Sequence, residues 1–260
     1  MRRALVHRPS PELRDCELTY LDPAPIDAVL AARQHAGYVD LLRRHGFVVD
    51  VLEGNLHLPD AVFVEDTAVV LDEVAILTPM GVASRAPETE LIASALASHR
   101  RLVRIDAPAK LEGGDVLRVG RRLFVGQGTR TDAAGLLALA AAVEPLGYEV
   151  TGVEVTGCLH LKTGCTALDG ETLLIHSDWV DPTPFADFRR LEVPRTEPFA
   201  ANTLDVGDAV ALPSSFPATR ALLEAEGYRV ETVDISEFQK AEAGLTCMGL
   251  CFGAGDGPIR

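Results

Sequence analysis

Glu65, Glu112, His160, Asn202 and Cys247 follow one another at separations of 47, 48, 42 and 45 residues, and each heads an apolar run that reads as a strand. A period in that range marks a repeated supersecondary unit. The five positions are therefore one structural position sampled five times. If the units are set around an axis, these side chains converge on it, and a nucleophile, a base and carboxylates share one pocket.

The runs have a common shape. Residues 65–78 read as two strands around the acidic turn Asp72-Glu73, and residues 112–126 turn at Gly120. Residues 160–176 turn at Asp169-Gly170, a dipeptide that predicts a type I′ hairpin, and residues 202–213 turn at Gly207-Asp208. A stretch with helical spacing is expected after each hairpin: Leu91, Ile92, Ala95 and Leu96 form one stripe, Leu136, Leu137, Leu139 and Val143 another, and Leu222 with Leu223 a third. Gly46-Phe47, Gly147-Tyr148 and Gly227-Tyr228 close such stretches alike, the glycine suited to a left-handed helix cap and the aromatic opening a return strand.

The unit is strand, strand, helix, strand. Four are expected between about residues 63 and 235. The fifth is split, because the strand after Cys247 has no helix behind it, while the N-terminus supplies a strand at 4–7 and a helix at 26–46. Joining the two ends closes a ring whose loops face a central axis, where ligands of repeat folds commonly bind.

With 260 residues, 47% of them hydrophobic, the chain can bury a full core, and no linker divides it, so one domain over 1–260 is expected. No apolar stretch is long enough to span a bilayer, and the start Met1-Arg2-Arg3 lacks the apolar core of an export signal. A cytoplasmic protein with reduced thiols is expected, since its five cysteines are odd in number and form no C-x-x-C pair. A net charge of −14 argues against a nucleic-acid partner and is compatible with a small cationic one. A homodimer is allowed by the sequence and not required by it.

A lone cysteine in a strand is usually a small buried hydrophobe. Cys247 reads differently because it shares the recurrent position with His160 and Glu112: a thiol nucleophile needs a proton-shuttling base, and the base needs an orienting acceptor. Gly113-Gly114 permits close backbone approach without matching a dinucleotide fingerprint, so no nucleotide cofactor is expected. Glu65-Asp66 would disfavour a thiolate nearby, an arrangement that becomes sensible if the substrate is itself a cation. Cys158, His160, Cys165, Cys247 and Cys251 are all conceivable zinc ligands, but neither C-x-H nor C-x-x-x-C is a strong zinc spacing, so no native metal site is expected.

Together, Phe63-Val64-Glu65-Asp66, Leu111-Glu112-Gly113-Gly114-Asp115, His160-Leu161-Lys162-Thr163-Gly164 and Thr246-Cys247-Met248 resemble the guanidine-modifying, or pentein, superfamily. Order, spacing and length are most similar to its dimethylarginine dimethylaminohydrolase family. The resemblance covers essentially the whole chain. It implies an α/β fold, a five-bladed propeller of ββαβ modules with pseudo-fivefold symmetry, and hydrolysis of Nω-methylated arginines to citrulline without a cofactor. It also implies Cys247 as nucleophile, His160 as general acid and base, and Glu112 as the partner that orients His160.

By the same resemblance, Asp66 with Glu65 nearby holds the guanidinium, and Arg85 and Arg130 clamp the carboxylate, although by themselves both arginines look like surface residues at helix starts. Asp60 and the carbonyls of Leu18 and Ala241 serve the α-amino group and the entrance, and residues 16–22 form a lid. Cys251 departs from the expected pattern. The rival readings are an arginine deiminase, which usually carries a helical insertion absent here, an amidinotransferase, and a non-catalytic ring similar to the ribosome anti-association factor.

Overall fold

The computed structural model describes residues 1–253; residues 254–260, the tail of the expected 1–260 domain, lie outside them. Its strands fall into five three-stranded sheets of one topology. Each has a first strand antiparallel to a central second, and a third parallel to that second strand. In chain order the strands are β1 (Arg2–His7), β2 (Phe47–Leu52), β3 (Ala68–Val70), β4 (Val74–Leu77), β5 (Arg101–Arg104), β6 (Val116–Val119), β7 (Arg122–Gln127) and β8 (Glu149–Glu154). They continue as β9 (Cys165–Ala167), β10 (Thr172–Ile175), β11 (Arg189–Glu192), β12 (Leu204–Asp205), β13 (Val210–Pro213), β14 (Val230–Val233) and β15 (Leu250–Phe252). The sheets are β3-β4-β5, β6-β7-β8, β9-β10-β11, β12-β13-β14 and β15-β1-β2. The last joins the two ends of the described chain, Leu5 opposite Leu250 and Arg3 opposite Phe252, as the split fifth unit requires.

A parallel second-to-third pair needs a crossover, and four sheets use a helix for it. These are α1 (Ala28–Arg44), α2 (Glu88–Leu96), α3 (Ala133–Val143) and α5 (Pro217–Ala225); α4 (Leu161–Gly164) and α6 (Ser236–Gln239) are single turns. Asp27 and Asp132 cap α1 and α3 by accepting backbone N–H bonds in the first turn. Gly46, Gly147 and Gly227 have φ of +80°, +84° and +90°, the left-handed conformation expected of them.

Three expectations are corrected. The third sheet has no α-helix: Pro182 and Pro184 remove the N–H groups a helix would need, and a single 3-10 turn, Thr183–Phe185, makes the crossover. The Asp169-Gly170 turn is not type I′, since neither residue has positive φ; the Asp169 carboxylate instead accepts the N–H groups of Glu171 and Thr172 at 2.8 Å each. The five recurrent residues do not begin strands. Each sits at or beside one helical turn that precedes the first strand, closed by local bonds such as Asp115 N–H to Glu112 O (3.0 Å) and Thr163 N–H to His160 O (3.0 Å).

Burial follows the repeat. Five apolar clusters each join neighbouring sheets: Val69 and Ile76 with Val125 and Leu139, Phe124 with Leu173 and Phe185, Leu174 with Val210 and Leu223, Ala211 with Val6 and Leu41, and Leu5 and Phe252 with Ala75 and Ile92. Among the described residues no helix is long and apolar enough to cross a membrane.

Candidate active site

The helical turns that precede the first strands bring the chemistry together. His160 immediately precedes α4, and its Nε2 lies 2.6 Å from Glu112 Oε2. The other Glu112 oxygen accepts the Gly81 N–H at 2.8 Å and faces Arg130 at 3.4 Å, so this fully buried carboxylate has partners on both sides. The His160 Nδ1 edge faces Asp66 Oδ1 at 3.8 Å. Asp66 accepts Gly114 N–H at 3.1 Å and an Arg85 N–H at 2.7 Å.

The glycines after Glu112 are dictated by this crowding. A Cβ on Gly113 would lie 2.0 Å from the Glu65 carbonyl oxygen, and one on Gly114 would lie 2.7 Å from both Asp66 Oδ1 and His160 Nδ1. Only a residue without a side chain lets the two turns approach so closely.

One small pocket is lined by Asp60, Asp66, Arg85, Arg130, His160, Ala241 and Cys247, with Glu17, Glu242 and Phe63 among the rest of its wall. Seven of the ten residues singled out from sequence thus face one space. Glu112 stands behind His160. Leu18 is half-buried outside the lining, and Glu65 is turned away: its carboxylate pairs with Lys162 Nζ at 2.6 Å and accepts the Thr246 hydroxyl at 2.7 Å. Glu65, Lys162 and Thr246 instead line a second cavity, walled by the first strands of all five sheets.

Arg85 and Arg130 are 4% exposed each, not the surface residues their sequence context suggests. Arg85 is held by a forked pair to Glu88, by Asp66 and by the Phe63 carbonyl, an ion-pair cluster that sequence gives no sign of because Glu88 reads as an ordinary helix-start acid. Arg130 donates to Thr19 Oγ1 at 3.2 Å, tying it to the segment 16–22. That segment is further held by two acids. Asp60 accepts the Glu17 N–H, and Glu242 Oε1 accepts the N–H groups of Thr19, Tyr20 and Leu21 at 2.9, 2.5 and 2.6 Å. Glu242 was not visible as functional from sequence; it sits at φ +59°, a backbone state no local pattern announces.

The electrostatics set acid against base. Burial would discharge His160, but the charges of Asp66 and Glu112 and the bond to Glu112 raise it to about 9. Burial likewise opposes the Glu112 anion, yet His160 and the two arginines hold it well below the usual carboxylate range. Cys247 is pushed far above the ordinary thiol range, first by burial and then by the charges of Glu65 and Asp66. A resting thiol beside an imidazolium and a carboxylate is a site waiting for a cation. Asp66, Glu112 and His160 also offer ligand atoms within 4.8 Å of one another, but those atoms already bond to Arg85, Gly81, Gly114 and each other.

Comparison with known proteins adds the following. The family profile described as N,N dimethylarginine dimethylhydrolase, eukaryotic, matches residues 24–167. The chain is 39% identical over 251 residues to N(G),N(G)-dimethylarginine dimethylaminohydrolase of Streptomyces coelicolor, covering 96% of each. It is 36% identical over 228 residues to the Pseudomonas aeruginosa protein of that name, covering 87% of this chain and 90% of the relative. A solved structure of the Pseudomonas aeruginosa enzyme, a cysteine-to-serine mutant complexed with citrulline, superposes with a TM-score of 0.92 at 34% identity over 96% of this chain and 98% of that one.

Proposed function

Because the chain belongs to the dimethylarginine dimethylaminohydrolase family, we infer that it hydrolyses asymmetric dimethylarginine and monomethylarginine to citrulline and the corresponding amine. One observation carries the reading: a nucleophile-type residue, Cys247, shares a small acidic cavity with a histidine that a buried glutamate holds in its cationic form.

The substrate guanidinium docks against Asp66 while its carboxylate reaches Arg85 and Arg130, and its ammonium meets Asp60 and the carbonyls of Leu18 and Ala241. Binding replaces a bimolecular encounter by a fixed geometry. The bound cation offsets Glu65 and Asp66 and favours the Cys247 thiolate, whose proton is released to solvent because His160 already carries one. Sulfur attacks the guanidinium carbon. The bond from that carbon to the methylated nitrogen then breaks as His160, through the nitrogen not committed to Glu112, gives that nitrogen a proton. An S-alkylthiouronium on Cys247 remains. Water, losing a proton to His160, attacks the same carbon; the C–S bond breaks, and citrulline leaves.

In this reading the five sheets are blades about one pseudo-fivefold axis. The apolar clusters that link each sheet to the next, and the cavity walled by all five first strands, support that arrangement. The chain acts as one catalytic unit in the cytoplasm, on a small cationic amino acid, with no cofactor, metal or nucleic acid; a homodimer is compatible with this, and sizing in solution decides it. Segment 16–22 is the lid. The test is incubation with asymmetric dimethylarginine, monomethylarginine, symmetric dimethylarginine and arginine, assaying citrulline and the released amine. The first two are expected to have the highest kcat/KM, and the highest value with arginine would make the protein a deiminase.

A further inference from the structure

Asn202 occupies one of the five recurrent positions, yet the reaction above gives it nothing to do. Its side chain is 2% exposed and lies outside the lining of the substrate cavity. All of its hydrogen-bonding groups are committed. Nδ2 donates to the Lys162 carbonyl and to Thr246 Oγ1 at 3.0 Å each, and Oδ1 accepts the Thr246 N–H at 3.0 Å. One amide therefore bridges the turn that begins at His160 to the turn that contains Cys247.

The bridge extends on both sides. Thr246 Oγ1 donates onward to Glu65, whose other oxygen pairs with Lys162, so the residue beside the sulfur is tied back to the histidine's own turn by a second route. Gly244, whose N–H approaches Cys247 Sγ at 3.4 Å, lies so close to the amide that a Cβ there would fall 2.2 Å from Asn202 Cγ. The backbone that carries the nucleophile is thus braced by Asn202 at residues 244 and 246.

We propose that Asn202 is a positioning residue that fixes the nucleophile's turn against the histidine's turn, setting the approach of Cys247 to the guanidinium carbon. This rests on the assignment of Cys247 and His160 as nucleophile and acid–base. Asn202 does not touch the substrate, so its loss acts on the chemical step and leaves binding largely alone.

The experiment compares Asn202→Ala, Asn202→Asp, Thr246→Ser and Thr246→Val with the unaltered enzyme on asymmetric dimethylarginine, with folding followed by thermal melting. Asn202→Asp keeps the volume and the acceptor but loses the donors, whereas Thr246→Ser keeps the hydroxyl that Thr246→Val removes. Both Asn202 variants and Thr246→Val should lower kcat by about tenfold to a hundredfold with KM within about threefold, a small displacement being enough for losses of that size. Thr246→Ser should stay within about threefold of the unaltered enzyme. A folded Asn202→Ala with unaltered kcat, or with all of its loss in KM, overturns the proposal; if that variant does not fold, Thr246→Val with unaltered kcat does so. Cys247→Ser, run in parallel, separates the two levels. Citrulline formed by that variant overturns the reaction itself, whereas its inactivity beside a fully active Asn202→Ala overturns only the positioning role.

Discussion

Replacing Glu112 by glutamine removes one charge from a fully buried position while keeping nearly the same volume, and the amide oxygen can still accept the Gly81 N–H. What disappears is the anion 2.6 Å from His160 Nε2. His160 stands at about 9 against an ordinary value of 6.5, because Asp66 and Glu112 together outweigh the burial that opposes its charge. Without Glu112, burial is opposed by the charges of Asp66 and Asp115 only. The His160 pKa is expected to fall and the imidazolium to lose part of its preference. At pH 8, where about nine-tenths of His160 is protonated in the unaltered enzyme, that fraction would drop, while at pH 6 it would hardly change. The alkaline limb of kcat/KM should accordingly move toward acid by one to two pH units, about tenfold in rate at pH 8. Stability follows the same group: the contribution from charged His160 is complete below about 6.5 and is lost as pH rises through about 9, so the variant's melting temperature should lose that pH dependence. A profile parallel to that of the unaltered enzyme, merely scaled down, would refute the argument and leave Glu112 a packing role.

Cys247→Ser should abolish citrulline formation with the fold intact, whereas Cys16→Ser and Cys251→Ser should retain most of it; the reverse pattern in a simple turnover assay would move the nucleophile elsewhere. Because burial and two acids keep the Cys247 thiol protonated at rest, iodoacetamide should label it slowly at pH 7 and faster when a small guanidinium ion occupies the cavity; labelling unaffected by the ion would contradict the role given to the cation. Gly114→Ala drives a methyl into Asp66 and His160 and should cost about 1–3 kcal/mol of stability and most of the turnover, as thermal melting and kcat will show. Glu242→Ala frees the N–H groups of Thr19, Tyr20 and Leu21, so their amide exchange should quicken by about tenfold or more and KM should rise.

The repeat made most of the scaffold legible, because hairpins and helix caps are local: Gly46, Gly147 and Gly227 announce their conformation by lacking a Cβ. The recurrent spacing also placed Glu112, His160 and Cys247 in one neighbourhood. The one-turn helices at those positions were not legible, since a single turn has no period to detect. Two prolines erased the third helix where the repeat argued for one. Arg85, Glu88, Lys162 and Glu242 were missed or misjudged for a shared reason. A buried charge is marked by its partner, and their partners are 3, 19, 97 or more than 200 residues away or on the backbone.

The central claim is covalent catalysis at Cys247 on a methylated guanidinium. Its most direct test is mass spectrometry of the enzyme acid-quenched during turnover of asymmetric dimethylarginine, followed by peptide mapping. The account predicts one adduct, on the peptide containing Cys247, carrying the amidine carbon and the amino acid but not the dimethylamino group, with dimethylamine already in solution. An adduct on Cys251 or Cys16, one that retains both methyl groups, or steady turnover with no adduct at all would contradict it.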